Sequence, residues 1–148
     1  IENYCTPILV LNKWDLLNEE DKLNINSNLK IQLKKFSWLN VIRISALTTK
    51  GLNKFSKTLN EVNSQLNNRI DTSDLNLYFR ELWVAKPPHP FRGKRAKLKY
   101  VTQYDISPPS FSFNLSSRIP KNYYSFIENK LREEFGFKNV SLKIKYKT

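Results

Sequence analysis

The run Ile8-Leu9-Val10-Leu11 constrains this chain more than any other stretch. Four apolar residues without a polar interruption predict a strand buried on both faces, as in a parallel sheet. Such a strand needs a parallel neighbour reached through a crossover. The next comparable run is Val41-Ile42-Arg43-Ile44-Ser45-Ala46-Leu47, about 30 residues later, which leaves room for a helix and two turns. Between the two runs, Asn18 is a good N-cap, and Glu19, Glu20 and Asp21 fill a first turn where carboxylates favour the helix dipole. Ile25, Leu29, Leu33 and Phe36 then recur at helical steps, with Lys34 and Lys35 at the helix end. The turn Thr48-Thr49-Lys50-Gly51 opens a second helix, whose stripe Leu52, Phe55, Leu59, Val62 and Leu66 is expected to be core rather than a binding surface. Residues 1–70 therefore predict an α/β unit.

In open α/β sheets, ligands bind beyond the carboxyl ends of the strands. The first strand ends in Asn12, Lys13 and Asp15, the second in Ser45 and Ala46. Asn-Lys-x-Asp resembles the guanine-reading motif of the GTPases, and Ser-Ala resembles the element on their neighbouring strand end. That resemblance implies a role for each residue. The Asp15 carboxylate, which only accepts hydrogen bonds, takes the ring N–H and exocyclic amine of guanine, a donor pair that adenine lacks. Lys13 lays its stem across the purine face while its ammonium stays in water. Asn12 braces the loop. At Ser45-Ala46 a backbone N–H meets the guanine carbonyl oxygen, and Ala leaves room for the base. Taken singly, either motif is also an ordinary polar strand end; their order, spacing and shared position carry the argument.

A GTPase also needs Gly-x-x-x-x-Gly-Lys-Ser/Thr, whose backbone cradles the phosphates and whose hydroxyl ligates Mg²⁺. The chain has only Gly51, Gly93 and Gly136, none in that setting. These residues are expected to form half of a GTP/GDP site, without its Mg ligands and without hydrolysis. A chain beginning at Ile and lacking Met is expected to be an excised piece whose N-terminus is missing.

Around Arg69-Ile70-Asp71-Thr72 the pattern restarts. Thr72 is placed to cap a helix through roughly Trp83, with Leu75, Phe79 and Leu82 inward, and Pro87-Pro88 stops it. Lys97 to Tyr104 alternates, with Leu98 and Tyr100 expected on one face and Lys97, Lys99 and Val101 on the other. After Pro108-Pro109, Phe111, Phe113 and Leu115 point inward. Pro120 suits the first turn of a helix facing inward through Tyr124, Ile127, Leu131 and Phe135 and capped by Gly136. Val140, Leu142, Ile144 and Tyr146 then alternate with Ser141, Lys143, Lys145 and Lys147. Residues 71–148 thus predict an α-β-β-α-β order: two helices on one face of a three-stranded sheet, a small α+β sandwich.

The net charge of +12 is uneven: 10 basic and 6 acidic residues to Ile70, 15 and 7 beyond it. That surplus suggests an RNA or DNA partner, or reflects a lysine-rich proteome. Lys94, Arg95, Lys97 and Lys99 are expected on one loop and its strand, and Lys143, Lys145 and Lys147 on the open sheet face. Phosphates would be met there in a salt-dependent, sequence-tolerant way; alternatively the face is solvated or covered by another domain. No apolar run approaches the roughly 18 residues of a membrane helix. The single Cys5 is expected to be a buried or partly buried spectator, and no Cys/His cluster suggests zinc. His89, set among prolines, is expected to be a solvated loop residue.

The second-half order, Gln103, the Pro108-Pro109-Ser110-Phe111 turn and the segment Glu128-Asn129-Lys130-Leu131-Arg132-Glu133-Glu134-Phe135-Gly136-Phe137 resemble the end of the Der (EngA) GTPases. That family carries two consecutive GTPase domains and a KH-like domain. Ser45-Ala46-Leu47-Thr48 and Lys50-Gly51-Leu52 resemble the end of its second GTPase domain, and Arg69-Ile70-x-Thr72 the junction. The resemblance covers essentially the whole chain. It implies the C-terminal part of a GTP-hydrolysing factor for assembly of the large ribosomal subunit, in the cytoplasm or in an organelle with bacterial-type ribosomes. The implied partners are the large subunit or its rRNA and the N-terminal GTPase domains of the same protein, with no membrane. KH domains clamp nucleic acid with a Gly-x-x-Gly loop between two helices, and this chain has none. Two other classes stay open: a stand-alone RNA-binding module on a dead nucleotide fold, and a KH-like domain that docks on the GTPase domains and regulates them.

Overall fold

The computed structural model describes residues 5–148; Ile1 to Tyr4, which open the expected 1–70 unit, lie outside the described residues. Strand β1 (Ile8–Leu11), helix α1 (Glu19–Gln32), strand β2 (Asn40–Arg43) and helix α2 (Leu52–Leu66) come first. β1 and β2 pair in parallel, Ile8 opposite Asn40 and Leu11 opposite Arg43. β2 ends at Arg43 rather than running on to Leu47, because the chain turns into a loop at Ser45. Asn18 caps α1 by accepting the Asp21 N–H at 2.8 Å. None of the α1 stripe is fully buried, and Leu33 and Phe36 fall beyond the helix, in its cap and a short 3₁₀ turn.

Further expectations fail in this half: the β1 run, expected to be buried on both faces, is only half-buried at all four positions. On α2, Leu59 is exposed and Thr58 is buried instead, its hydroxyl donating to the Lys54 carbonyl at 2.9 Å. A hydroxyl satisfied by its own helix can be buried at little cost. Cys5 is exposed, not buried.

The second half is α3 (Thr72–Ala85), β3 (Leu98–Ile106), β4 (Pro109–Leu115), α4 (Lys121–Glu134) and β5 (Lys143–Lys147), the expected α-β-β-α-β order. The sheet runs β3-β4-β5, antiparallel across the hairpin and parallel across the α4 crossover. One face carries the core. Leu75 and Phe79 of α3, and Ile127 and Leu131 of α4, meet Val101, Phe111 and Phe113 there, all at 0% exposure. Phe79 and Phe113 meet edge to face at 4.9 Å. A fully buried side chain of this size contributes about 1.5–3 kcal/mol, so four phenylalanines below 2% exposure anchor this half.

Details differ from the periodic reading. Asp71 is the N-cap of α3 and Thr72 its first residue. Pro120 stands just outside α4 with extended backbone, Phe135 caps that helix, and Gly136 follows at φ +78°. Tyr123 rather than Tyr124 is the buried tyrosine of α4, while Tyr124 is half-buried against Tyr146 at 4.3 Å. Val140 and Leu142 are buried in the loop before β5 rather than in the strand.

The largest correction is on β3. Leu98 pairs with Leu115 but Tyr100 with Asn114, so Lys99 is an extra residue in a bulge. A bulge advances one strand by one residue and reverses the faces beyond it. Val101 and Gln103 therefore point inward, and Tyr100, expected beside Leu98, stands on the open face at 48% exposure.

Candidate nucleotide half-site and basic sheet face

The loops beyond β1 and β2 are tied to each other. Lys13 takes the left-handed conformation, φ 60° and ψ 32°, uncommon for a side chain of this kind. The Asn12 side-chain oxygen accepts two N–H groups, from Lys13 at 2.8 Å and from Ala46 on the other loop at 3.0 Å. Trp14 N–H donates to the Ile44 carbonyl at 3.0 Å. One amide thus holds both strand ends. The second loop is pinned from behind: Ser45 N–H donates to the Lys50 carbonyl at 2.9 Å, and a Cβ at Gly51 would collide with the Arg43 carbonyl oxygen. At φ +87°, that position needs glycine twice over.

Lys13, Asp15 and Ala46 are exposed, whereas Ser45 is 2% exposed, with its hydroxyl accepting the Thr48 N–H at 3.2 Å. Asp15 and Ser45 border a cavity of about 230 Å³ with Trp14, Lys22, Arg43 and Lys50; Asn12, Lys13 and Ala46 do not line it. Arg43 lies 5.3 Å from the Trp14 ring and closes that cavity's side. The exposed Asp15 carboxylate can accept from a paired N–H and amine such as a guanine edge presents. The Ala46 N–H is already engaged by Asn12, so a base can take that donor only if Asn12 releases it. Among the described residues, no three or more His, Cys, Asp or Glu side chains gather to hold a metal ion.

The basic residues fall in two places. Arg92 and Gly93, both at positive φ, turn a small hairpin closed by Phe91 and Lys94, and Lys94, Arg95, Lys97 and Lys99 are exposed around it. Lys97 is fixed through its backbone, which donates to Ser116 Oγ at 2.8 Å. On β5, Lys145 pairs in register with Ser112 and Lys147 with Asn114; both lysines are exposed on the open face, and Lys143, beside Ser110, is half-buried. Lysine spacing alone could not reveal the aromatics on this face. Tyr100 and Thr102 stand there because of the bulge at Lys99, Tyr104 is the extra residue of a second register shift between Gln103 and Asp105, and Lys145 Nζ lies 5.1 Å from the Tyr104 ring.

Residues 69–147, more than half of the chain, match the family described as the C-terminal KH-domain-like region of EngA bacterial GTPase enzymes. The chain belongs to the Der (EngA) family. Among curated relatives it is 34% identical over 143 residues to the GTPase Der of Chlorobium limicola, covering 94% of this chain and 33% of that protein. The GTPase Der of Mycolicibacterium vanbaalenii is 31% identical over 137 residues, covering 93% of this chain and 29% of the relative. That of Corynebacterium glutamicum is 32% identical over 138 residues, covering 93% and 26%. The chain spans between about a quarter and a third of the length of these Der proteins. Among the described residues, no helix is long and apolar enough to cross a membrane.

Proposed function

We propose that this chain supplies the guanine-reading half-site and the KH-like RNA-contacting domain of a GTP-binding factor for assembly of the large ribosomal subunit. The boundary between the two parts falls at Ile70/Asp71. The observation that carries the nucleotide reading is the Asn12 bridge to the Ala46 N–H at 3.0 Å, which joins the two loops that a purine edge must meet. Asp15 accepts from the guanine ring N–H and exocyclic amine, Lys13 covers the base, and Ser45 and Ala46 shape the opposite loop. The phosphate cradle and the Mg²⁺ ligands belong to other parts of the whole protein. In that protein GTP/GDP is the ligand, the N-terminal GTPase domains are intramolecular partners, and the large subunit or its rRNA is the target. The setting is the cytoplasm, or an organelle with bacterial-type ribosomes.

The test is an amide chemical-shift titration with guanosine and adenosine monophosphates. Guanosine monophosphate is expected to move the Lys13, Asp15 and Ala46 resonances, and adenosine monophosphate to leave them. A charge-assisted hydrogen bond contributes about 1.5–3 kcal/mol, so Asp15→Asn should cost roughly tenfold or more in guanine affinity. Equal responses to both nucleotides would overturn the half-site. The RNA part rests on the basic surplus beyond Ile70 and on the lysines around the hairpin and on β5. Binding of large subunits or rRNA that weakens steeply with salt is the expected result; no binding at low salt would overturn it.

A second reading has its own support. The loop after α4 bonds to the first half: Ser141 N–H donates to Thr6 Oγ1 at 3.0 Å, and Asn139 N–H to Gln65 Oε1 at 2.9 Å. Those contacts favour a KH-like domain that also docks on the GTPase domain and regulates it.

A further inference from the structure

The open face of the β3-β4-β5 sheet contains a shallow depression of about 160 Å³. Its floor is Ser112 on the central strand, 5% exposed, with a hydroxyl that has no hydrogen-bond partner. A buried hydroxyl without a partner loses its water contacts and gains nothing in return, which marks a position that a ligand can satisfy. On one side stand Tyr100 and Tyr104, 48% and 42% exposed. Across the sheet stand Lys145 and Lys147. Thr102 and Lys145 flank Ser112, and Tyr100 and Lys147 flank Asn114; the one carboxylate in these cross-strand rows is Asp105, beside Ser110 at the far end of the face from Asn114.

We propose that this face is a single-stranded RNA platform, with bases stacked on Tyr100 and Tyr104 and phosphates running past Lys145 and Lys147. This rests on the RNA reading above and assigns it a place and a substrate class. Exposed aromatic rings beside lysines suit unpaired bases, since every base offers a π-face and every linkage a charge. A duplex hides its base faces and would use the lysines only. An acidic peptide would also use the lysines, but its carboxylate side chains carry no aromatic face to stack on the two rings. The two tyrosines are four residues apart on one strand, at most about 13 Å along it, so the rings are placed for bases that are not neighbours. The intervening nucleotide lies over Ser112, whose hydroxyl can both donate to and accept from a base edge or a ribose 2′-OH.

The experiment is fluorescence anisotropy of the 148-residue chain with labelled oligouridylate, oligoadenylate and their duplex. Single strands are expected to bind at least tenfold more tightly than the duplex, by roughly the worth of stacking that only unpaired bases can offer. Tyr100→Ala and Tyr104→Ala should each weaken single-strand binding by about 5- to 100-fold, with the Phe variants retaining it. Lys145→Ala with Lys147→Ala should lower the salt slope by roughly one to two, while the tyrosine variants leave it unchanged. If the chain binds RNA but the tyrosine variants bind as tightly, this face is not the site and the broader RNA reading survives. If the chain binds no RNA at low salt, both fall. Preference for the duplex would overturn the platform, and so would tyrosine-dependent binding of polyglutamate, which would point to an acidic protein. Should the Ala variants fail to fold, RNA-induced shifts of the Thr102, Ser112 and Asn114 amides in the unaltered chain decide it: shifts there support the platform, and their absence removes it.

Discussion

Single side chains in this molecule repeatedly stand in for backbone. The Asn76 amide pairs with both backbone groups of Val101, donating to its carbonyl at 2.8 Å and accepting its N–H at 2.9 Å. It fills the place of a missing neighbour strand and closes the free edge of β3 against stray pairing. Gln103, 3% exposed, does the same for the linker, accepting from Ile70 N–H at 2.8 Å and donating to the Asn68 carbonyl at 2.9 Å. Such pairings leave little trace in periodicity: Asn76 looks like one more helix-surface amide until β3 is seen beside it. Tyr123 gives a prediction at this scale. Its hydroxyl donates to the Lys86 carbonyl at 2.6 Å, and burial pushes its pKa up from 10.0 to about 12. Unfolded tyrosine releases its proton first, so the unfolded state binds fewer protons as pH climbs above 10. The stability Tyr123 contributes is whole below pH 10 and drains away between pH 10 and about 12. Tyr123→Phe should therefore lose about 0.5–1.5 kcal/mol at neutral pH through the missing hydrogen bond, yet fall less steeply in alkali. Burial also raises Tyr78 and Tyr146, so the alkaline slope shrinks without vanishing. Urea unfolding at several alkaline pH values checks this, and an unchanged slope would exclude Tyr123 as a source.

At the scale of elements, the order of strands and helices was legible because each carries its own period. α3 and α4 show apolar steps of three and four, and β4 alternates cleanly through Phe111, Phe113 and Leu115. The faces of β3 were not legible. Extra residues at Lys99 and Tyr104 re-aim them, and a bulge is set by pairing with β4 rather than by local composition. The same holds for Arg132, which in sequence is one of many charges on α4. In the fold it is 9% exposed and donates to the Phe137 carbonyl at 2.9 Å, the Val140 carbonyl at 2.7 Å and Glu128 at 2.7 Å. It thereby shapes the loop between α4 and β5, and its guanidinium lies 5.2 Å from the Trp38 ring of the first half. Arg132→Ala leaves two carbonyls without a donor and should cost about 2–4 kcal/mol. Arg132→Lys should recover little, because an ammonium cannot reproduce the fork. A double-mutant cycle with Trp38→Ala is expected to return a coupling of roughly 0.5–1 kcal/mol for the cation–ring contact. Zero coupling in urea unfolding would show that the ring and the guanidinium merely sit near each other.

Across the whole molecule, the two halves meet at one end of the first sheet and the candidate guanine loops lie at the other. Thr6 precedes β1 and Asn40 opens β2; these bond to Ser141 and Asn139, whereas Asn12 and Ser45 follow the same strands. Apolar contact joins the halves as well. Val62 of α2 is part of the second half's core cluster, and Ile8, Leu66 and Ile70 pack against it. The junction near Ile70 is thus not a loose tether, since Gln103 and the Asn68 amide, which donates to the Phe135 carbonyl at 3.0 Å, hold it to the second half. A two-stranded parallel sheet has little core of its own, and only Ile42, Ser45, Thr58 and Val62 of the described first-half residues are fully buried. Burial shared with the neighbour is what keeps it folded. The chain should therefore melt in one transition, with calorimetric and van't Hoff enthalpies equal. Val62→Ala, which removes a side chain common to both halves, should lower that single midpoint by an amount matching roughly 1–3 kcal/mol. Two resolved transitions, with only the first-half resonances lost in the earlier one, would mean that the contact surface is too weak to couple the halves. One transition would show that the two halves unfold as a single unit, coupled through the contacts at Thr6, Asn40 and Val62.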